Sequence, residues 1–397
     1  MLADDRFHHA FLTSLSQRLQ QLFYNKKYFC VNGGSMIKGL SFSLVILSSI
    51  LLTACGGGSA MFRGDVDHSG VSSESAPGKM TQLAWKYSAP DKTYSSPIVA
   101  GDTVYLGCKD GYVYALDLDD GHVKWKFKTA ANIEAPVAVS GGTLYVGSWD
   151  GYLYAVDIST HNEIWKFRTA GKVYTAPVIE DGVVYFGGQD KHLYAVDATT
   201  GAEKWRFKSA GVVYTSPAIS DSMVFICTLD GFVRAVNKKS GQEQWRYAVR
   251  SPVYSSPSIY DGHLFVGGDD KYIHAINIKT GQLKWKKKTA GKVCSSPAVY
   301  DGVVYFGSTD NYIYAYDAEE SGRIWEYQTH GPIFSSPIIA SGNVYIASTD
   351  GNLYALSAKT GRVLWRYKSA QKVFSSPVVA DGKVIFNSVN GEVYAIE

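Results

Sequence analysis

Tryptophan returns every forty residues along most of this chain, at Trp85, Trp125, Trp165, Trp205, Trp245, Trp285, Trp325 and Trp365, and Ala115 through Ala395 recur at the same spacing. A fixed period of this length marks a repeat architecture, and forty residues is about one four-stranded propeller blade. Only Trp149, the ninth tryptophan, lies outside the register.

One unit, residues 174–209, contains four short apolar or alternating segments, TAPVI, VVYFGG, HLYAVDA and EKWRFKS, each fitting a strand. Asp-Gly pairs such as Asp181-Gly182 and Asp301-Gly302 join the first two strands, and others such as Asp150-Gly151 and Asp350-Gly351 join the next two. That dipeptide supplies the positive φ angles of a tight hairpin. The third and fourth strands meet around Gly121, Gly201, Gly241, Gly281 and Gly361. Composition agrees, with 14 % aromatic residues, 39 glycines and only 19 % charged residues.

The repeats begin with a lone fourth strand, LAWKYS, and end with three strands from Phe374. These fragments sum to one blade. The expected fold is therefore all-β: an eight-bladed propeller of four-stranded antiparallel blades over residues 81–397, closed by three carboxyl-terminal strands and one amino-terminal strand, leaving no open edge between first and last blades.

The stretch AVDATTGAEKW, 195–205, fits A-x-D-x-x-x-G-x-x-x-W and recurs with small changes through 81–397. It resembles the motif of the PQQ-like, tryptophan-docking propeller family, which includes quinoprotein dehydrogenases and the BamB outer-membrane assembly lipoproteins. The resemblance implies that the eight tryptophans of the register dock between neighbouring blades. A small residue and a bare glycine peptide offer an indole a flat partner, and a buried Trp carries about 150–250 Å² of surface. His161 and Ser321 replace the glycine, and Asn237, Asn277 and Ser357 replace the Asp, which makes those docking sites less regular.

A quinoprotein would need a base, carboxylate and amide ligands for calcium, and walls around the cofactor. Family enzymes commonly add a vicinal disulfide and long insertions; here no Cys-Cys pair occurs and the connectors are uniformly short. Cys108, Cys227 and Cys294 fall in different blades and are expected as free thiols. No His-x-His, Cys-x-x-Cys or His-Glu-x-x-His cluster suggests a metal. No catalytic residue, metal or cofactor is therefore expected. The alternatives kept open are a PQQ- and calcium-dependent dehydrogenase and a small-ligand sensor using aromatic residues at the channel mouth.

Function is sought where the repeat breaks. Tyr94, Tyr174, Tyr214, Tyr254, Phe334 and Phe374 share one slot ahead of the first strand, and Glu134 replaces them in a blade read as one residue short. In that same blade Trp149 occupies a turn whose counterparts are Lys109, Gln189 and Asp269. Glu134 and Trp149 are the leading partner-binding candidates. Arg234, His274 and Arg250, the last in the Arg250-Ser251-Pro252 loop, are weaker ones. The alternation of Lys and Arg with aromatics in fourth strands reads as charged edges that discourage aggregation, with contact to lipid headgroups as the minor alternative.

The amino-terminal region carries an address. MIKGLSFSLVILSSILLTAC, 36–55, has a lysine, an apolar run from Leu40 to Leu52 and small residues, the layout of a signal peptide over 36–54. Its run of thirteen is shorter than a membrane-spanning helix needs. Leu52-Thr53-Ala54-Cys55 resembles the lipobox of bacterial lipoproteins, which implies lipid attachment at Cys55; Gly56 in place of Asp implies the outer membrane, on its periplasmic side. Residues 1–35 read as an upstream extension with Met36 as the start, and 55–80 as a flexible tether in which MFRGDVDHSG packs on the propeller.

Removing the basic excess of residues 1–54 leaves 34 basic and 34 acidic residues, so the propeller has no overall charge with which to seek nucleic acid. The expectation is a monomeric, non-enzymatic scaffold whose partners are other envelope proteins, among them the outer-membrane assembly machinery.

Overall fold

The computed structural model describes residues 60–80 and 82–397. The upstream extension, the signal segment and Cys55 lie outside them.

Residues 83–397 form eight four-stranded antiparallel sheets. Blades 1 to 7 each take four consecutive strands, as in blade 3 with Val178–Glu180, Val183–Gly187, His192–Asp197 and Glu203–Lys208. In blade 8, Leu83–Ser88 pairs with Glu392–Ile396, bringing Trp85 opposite Ala395. Gln82 and Glu397 exchange backbone hydrogen bonds of 3.1 Å in both directions at the end of this ladder.

Second and third strands are buried almost throughout, as in VVYFG and HLYAVD, while fourth strands alternate, as in EKWRFK. That order follows from geometry: the middle strands have sheet on both faces, and the outer strand has one side in water. Asp181 and Gly182 take φ of 50° and 70°, the paired positive angles of a tight hairpin turn. First-to-second and third-to-fourth turns lie on one face of the disc. The second-to-third turns and blade-to-blade connections form the opposite face, here termed the mouth.

Indoles dock on the blade that follows their own, Trp365 excepted. Trp165 Nε1 donates to the carbonyl of Ala198 at 3.0 Å, and a Cβ on Gly201 would stand only 2.7 Å from the ring. The docking bond survives the sequence departures: Trp205 reaches Lys238 O at 2.9 Å beside Asn237, Trp245 reaches Ile278 O at 2.9 Å beside Asn277, and Trp325 reaches Ala358 O at 2.8 Å beside Ser357. Trp285 reaches Ala318 O at 2.9 Å although Ser321 stands in the glycine slot. At the other substitution Trp125 stacks on the His161 imidazole, 4.7 Å away at 23°.

Residues 60–77 are a strap through the channel; MFRGDVDHSG lies against the propeller, and the small polar residues after it continue along the strap to Pro77. The N–H at the centre of each first strand from blade 2 to blade 7 finds its acceptor on this strap. Val139 bonds Ala60 O at 2.8 Å, Ile179 the sulfur of Met61 at 3.3 Å, and Ile219 Val66 O at 2.8 Å. Ile259 follows on Asp67 O at 2.9 Å, Val299 on Ser69 O at 2.9 Å and Ile339 on Gly70 O at 2.8 Å. Inner strand edges would otherwise face the channel unpaired, which explains why a short polar segment orders here.

Buried Arg63 sits at the centre of the strap, donating to Pro337 O at 3.0 Å and to Pro297 O. Burial pulls its pKa down to about 9, against the pull of Asp65. His68 is fully buried on the edge of Phe62, and burial followed by Arg63 lowers its pKa to about 3, keeping it neutral. Ala60 runs antiparallel to Val139 and Val71 parallel to Ile339, so the strap enters and leaves through the face opposite the mouth. On leaving, it supplies Pro77 O to Trp365 Nε1 at 2.9 Å, a docking acceptor that blade 8 lacks.

Candidate partner-binding site at the channel mouth

The aromatic slot forms an arc around the mouth. Tyr174 lies 5.2 Å from Tyr214, and Tyr214 lies 5.3 Å from Tyr254. On the other side Phe334 is 5.4 Å from Phe374, which is 6.2 Å from Tyr94. Tyr214, Tyr254 and Phe334 remain exposed.

The arc is interrupted at Cys294 and Glu134, and in both places a lysine–carboxylate pair fills the gap. Lys292 Nζ is 2.6 Å from Asp269, whose other oxygen is 3.6 Å from the Cys294 sulfur. Lys109 Nζ is 3.7 Å from Glu134. Half-buried, Glu134 has its pKa raised by desolvation, with Lys109 and Lys172 opposing.

Trp149 leans into the second gap. Its ring is 5.3 Å from Tyr174, with the Lys172 ammonium 3.6 Å and the Lys109 ammonium 6.0 Å from its centroid. Glu134 and Trp149 thus meet in one cluster through Lys109, on one face as their strand directions require.

Blade 2 is not a residue short. Its first strand, Ala138–Ser140, stands forty residues before Val178–Glu180 of blade 3. What changes is the order of residues, because Ala135-Pro136-Val137 occupies the places of Ser-Ser-Pro in most blades and Thr175-Ala176-Pro177 in blade 3. The consequence is a seam. Elsewhere a backbone N–H bonds the serine hydroxyl of the next blade, from Ala176 to Ser216 at 3.0 Å, onward through Ser256, Ser296 and Ser336, and from Ser376 to Ser96 at 2.8 Å. Pro136 has neither an N–H nor a hydroxyl, so this circuit stops where Glu134 and Trp149 stand.

Arg234 and His274 do not present side chains to a partner. They are 2 % and 1 % exposed and stand in for a buried tyrosine of the repeat. In other blades that tyrosine bonds the turn aspartate, as Tyr154 does to Asp150 at 2.8 Å and Tyr194 to Asp190 at 2.6 Å. Arg234 makes the same link with two hydrogen bonds to Asp230, of 3.0 and 2.6 Å, and adds Glu243 at 3.2 Å. His274 holds Asp270 at 3.1 Å. Sequence reading took these as surface departures because strand alternation alone does not reveal the tyrosine–aspartate pair. Arg250 is exposed on the mouth face at φ 65°, apart from the Glu134 cluster.

Cys108, Cys227 and Cys294 are free thiols. Burial raises Cys108 to about 11 and Cys294 to about 12 and pushes Cys227 up further, which leaves them poor nucleophiles. Among the described residues one group of acidic and histidine side chains comes close enough to share an ion, half-buried Asp117 with exposed Asp120 and His122, on the third-to-fourth turn opposite the mouth.

A family model described as outer membrane protein assembly factor BamB matches residues 64–127, 109–258 and 229–397. No curated protein sequence matches the chain. Solved structures share its fold: BamB from Moraxella catarrhalis is 16 % identical with a TM-score of 0.70, the alignment covering 80 % of this chain and 99 % of that one. A computationally designed protein, Ika8, gives 17 %, 0.73, 80 % and 99 % in the same terms. A europium-containing methanol dehydrogenase gives 16 %, 0.75, 87 % and 99 %.

Proposed function

The chain belongs to the family of outer membrane protein assembly factor BamB, and from that premise we propose that it is a non-enzymatic, lipid-anchored propeller that holds protein partners at the periplasmic side of the outer membrane. The observation that carries this reading is the concentration of irregularity in blade 2, where Glu134, Trp149 and Pro136 break the repeat together, whereas the other gap in the arc, at Cys294, has no tryptophan beside it. A scaffold needs one distinctive patch; an enzyme needs an enclosed pocket.

The mouth residues do not fit a quinone with its calcium. Glu134 and Asp269, the carboxylates in the gaps of the arc, each face a lysine, at 3.7 and 2.6 Å, and the strap occupies the channel beneath them. A calcium site wants several oxygens free to converge.

The strap also gives the propeller an orientation. Five residues separate Cys55 from Ala60, a reach of at most about 18 Å, and Ala60 enters from the face opposite the mouth. Lipidation of Cys55 would set the face opposite the mouth toward the bilayer and the mouth toward soluble domains of partners.

The test is purification from detergent-solubilised membranes of wild-type protein and of the Trp149→Ala and Glu134→Arg variants. The expected result is a defined set of envelope proteins with the wild type and its loss with the variants. An identical set for all three, or none with the wild type, contradicts the reading.

A further inference from the structure

A trough on the mouth face lies beside Trp149 between blades 2 and 3, and the cations of its lining outnumber the carboxylates. It encloses about 760 Å³ and is lined by Trp149, Asp150, Arg168, Lys172, His192 and Arg206, among others. Arg168, the last residue of its strand, is exposed and makes no ion pair among the described residues. Arg206 has Glu203 of its own strand at 3.0 Å but is 57 % exposed, so much of its guanidinium faces water. Lys172 is held over the Trp149 ring at 3.6 Å.

Asp150, the carboxylate in the lining, is already committed. Its Oδ1 accepts from Tyr152 N at 3.0 Å, and its Oδ2 accepts from Tyr154 Oη at 2.8 Å and Ala130 N at 3.0 Å. Asp150 keeps its charge but has its oxygens occupied, and three cations of the lining, Arg168, Lys172 and Arg206, stand against that one carboxylate.

The forty-residue register makes the coincidence visible. The places of Trp149, Arg168 and Lys172 hold Leu229, Ala248 and Pro252 one way around the ring, and Thr309, Gln328 and Pro332 further on. Of the lysines in the Arg168 place, Lys128 and Lys368 fold back onto the carbonyls of Asp110 and Asp350, and Lys208 and Lys288 have Gln189 and Asp269 where blade 2 has Trp149. An aromatic, an unpaired arginine and a lysine pinned to that aromatic combine at blade 2 and at no other blade.

We propose that this trough binds an acidic, extended peptide segment of a protein partner, its carboxylates meeting Arg168 and Arg206 while its backbone lies along the Trp149 end. The proposal rests on the scaffold reading above and names the chemistry of what that scaffold holds. Charge complementarity favours an acidic ligand, and paired guanidinium groups suit carboxylates presented along a strand. An open trough suits a chain segment better than the enclosed pocket a small molecule needs.

The test uses the whole protein and a fluorescein-labelled hexaglutamate peptide followed by anisotropy. Wild type is expected to bind, with affinity falling as salt rises. The pair Arg168→Gln and Arg206→Gln weakens binding at least about tenfold, while Arg366→Gln with Lys368→Gln, an equal charge loss on blade 7, changes it less than about twofold. Equal losses for the two pairs, unchanged binding in the first, or no binding by wild type overturns the proposal. So does tighter binding, through the same arginines, of phosphatidylglycerol vesicles or single-stranded DNA that displaces the peptide. If the first pair leaves the envelope proteins co-purifying with wild type unchanged, the trough assignment fails and the scaffold reading stands; if wild type brings none down, the scaffold reading itself fails.

Discussion

Trp365 Nε1 donates to the carbonyl of Pro77 across 2.9 Å and 288 residues of sequence. Tyr345 Oη reaches the same oxygen at 3.0 Å. Each blade needs a third-to-fourth turn ahead of it to receive its indole. Blade 8 has none, because its third strand ends the repeat and its fourth begins it. The strap supplies the missing acceptor, so channel filling and ring closure depend on one segment.

Trp365→Ala is expected to lower stability by about 3–5 kcal/mol, the usual cost of truncating a buried aromatic. Trp365→Phe, which keeps a ring but gives up the N–H, costs about 1 kcal/mol. The distinguishing measurement is trypsin cleavage after Lys79. It accelerates in Trp365→Ala and not in Trp205→Ala, whose docking bond goes to Lys238 and leaves the strap alone.

Arg63→Ala leaves the carbonyls of Pro297 and Pro337 without their donor inside the channel. Loss of hydrogen bonds from a charged group costs about 1.5–3 kcal/mol each before any relaxation. Hydrogen exchange should show amide protection falling at Ile219, Ile259, Val299 and Ile339, which bond the strap, while amides between second and third strands keep theirs.

Asp67 provides a pH handle. Burial, then Asp65, Glu180 and Asp221, raises its pKa to about 6, above the value near 4 of an unfolded aspartate. The folded state then binds the proton more tightly, so stability falls as pH rises between these values, and the penalty is complete above about pH 6. Asp67→Asn should match wild type near pH 3.5 and exceed it at pH 7 by about 1 kcal/mol, since half-exposure screens the effect. Thermal melts at the two pH values check it; equal melts at pH 7 contradict the assignment.

Arg234→Ala should cost about 3 kcal/mol or more, because Asp230 loses both of its guanidinium hydrogen bonds in a largely buried site. Arg234→Tyr rebuilds the tyrosine–aspartate link of the other blades and should cost less than about 1.5 kcal/mol. Denaturant unfolding of the two variants separates a structural role from a surface one.

Ser321 holds φ 60° in a slot that glycine fills at Gly201 and Gly241. Ser321→Gly should therefore stabilise the protein by about 0.5–1 kcal/mol, relieving a left-handed backbone that a side chain resists. Gly201→Ala should do the reverse, because its Cβ would stand 2.7 Å from the Trp165 indole at φ 71°.

The ring was legible because its determinants are local and periodic. The Trp85 to Trp365 register, Asp-Gly turns such as Asp181-Gly182, and the two terminal fragments gave blade number and closure before any coordinates. The packing of MFRGDVDHSG on the propeller was expected, but its course through the channel was not legible, because the segment has neither strand alternation nor helix periodicity and its backbone partners are spread over six blades. Glu134 and Trp149 stood out as breaks in a repeat and do share one cluster. The role of Pro136 was hidden, since its effect is to end a circuit of hydrogen bonds made by residues forty apart. Arg168 and Arg206 read as ordinary edge charges until the coordinates showed which carboxylates were spoken for.

Order of synthesis gives the strap a further meaning. Residues 60–77 leave the ribosome before every strand they bond, yet their acceptors are used by first strands as late as Ile339. Blade 8 likewise waits for residues 392–396. Local hairpins can form early, whereas the axle and the seal both depend on distant pairings, the slow kind. The strap, made before every strand it bonds, is therefore expected to settle late, and until then six inner strand edges stand open to any extended chain that comes by.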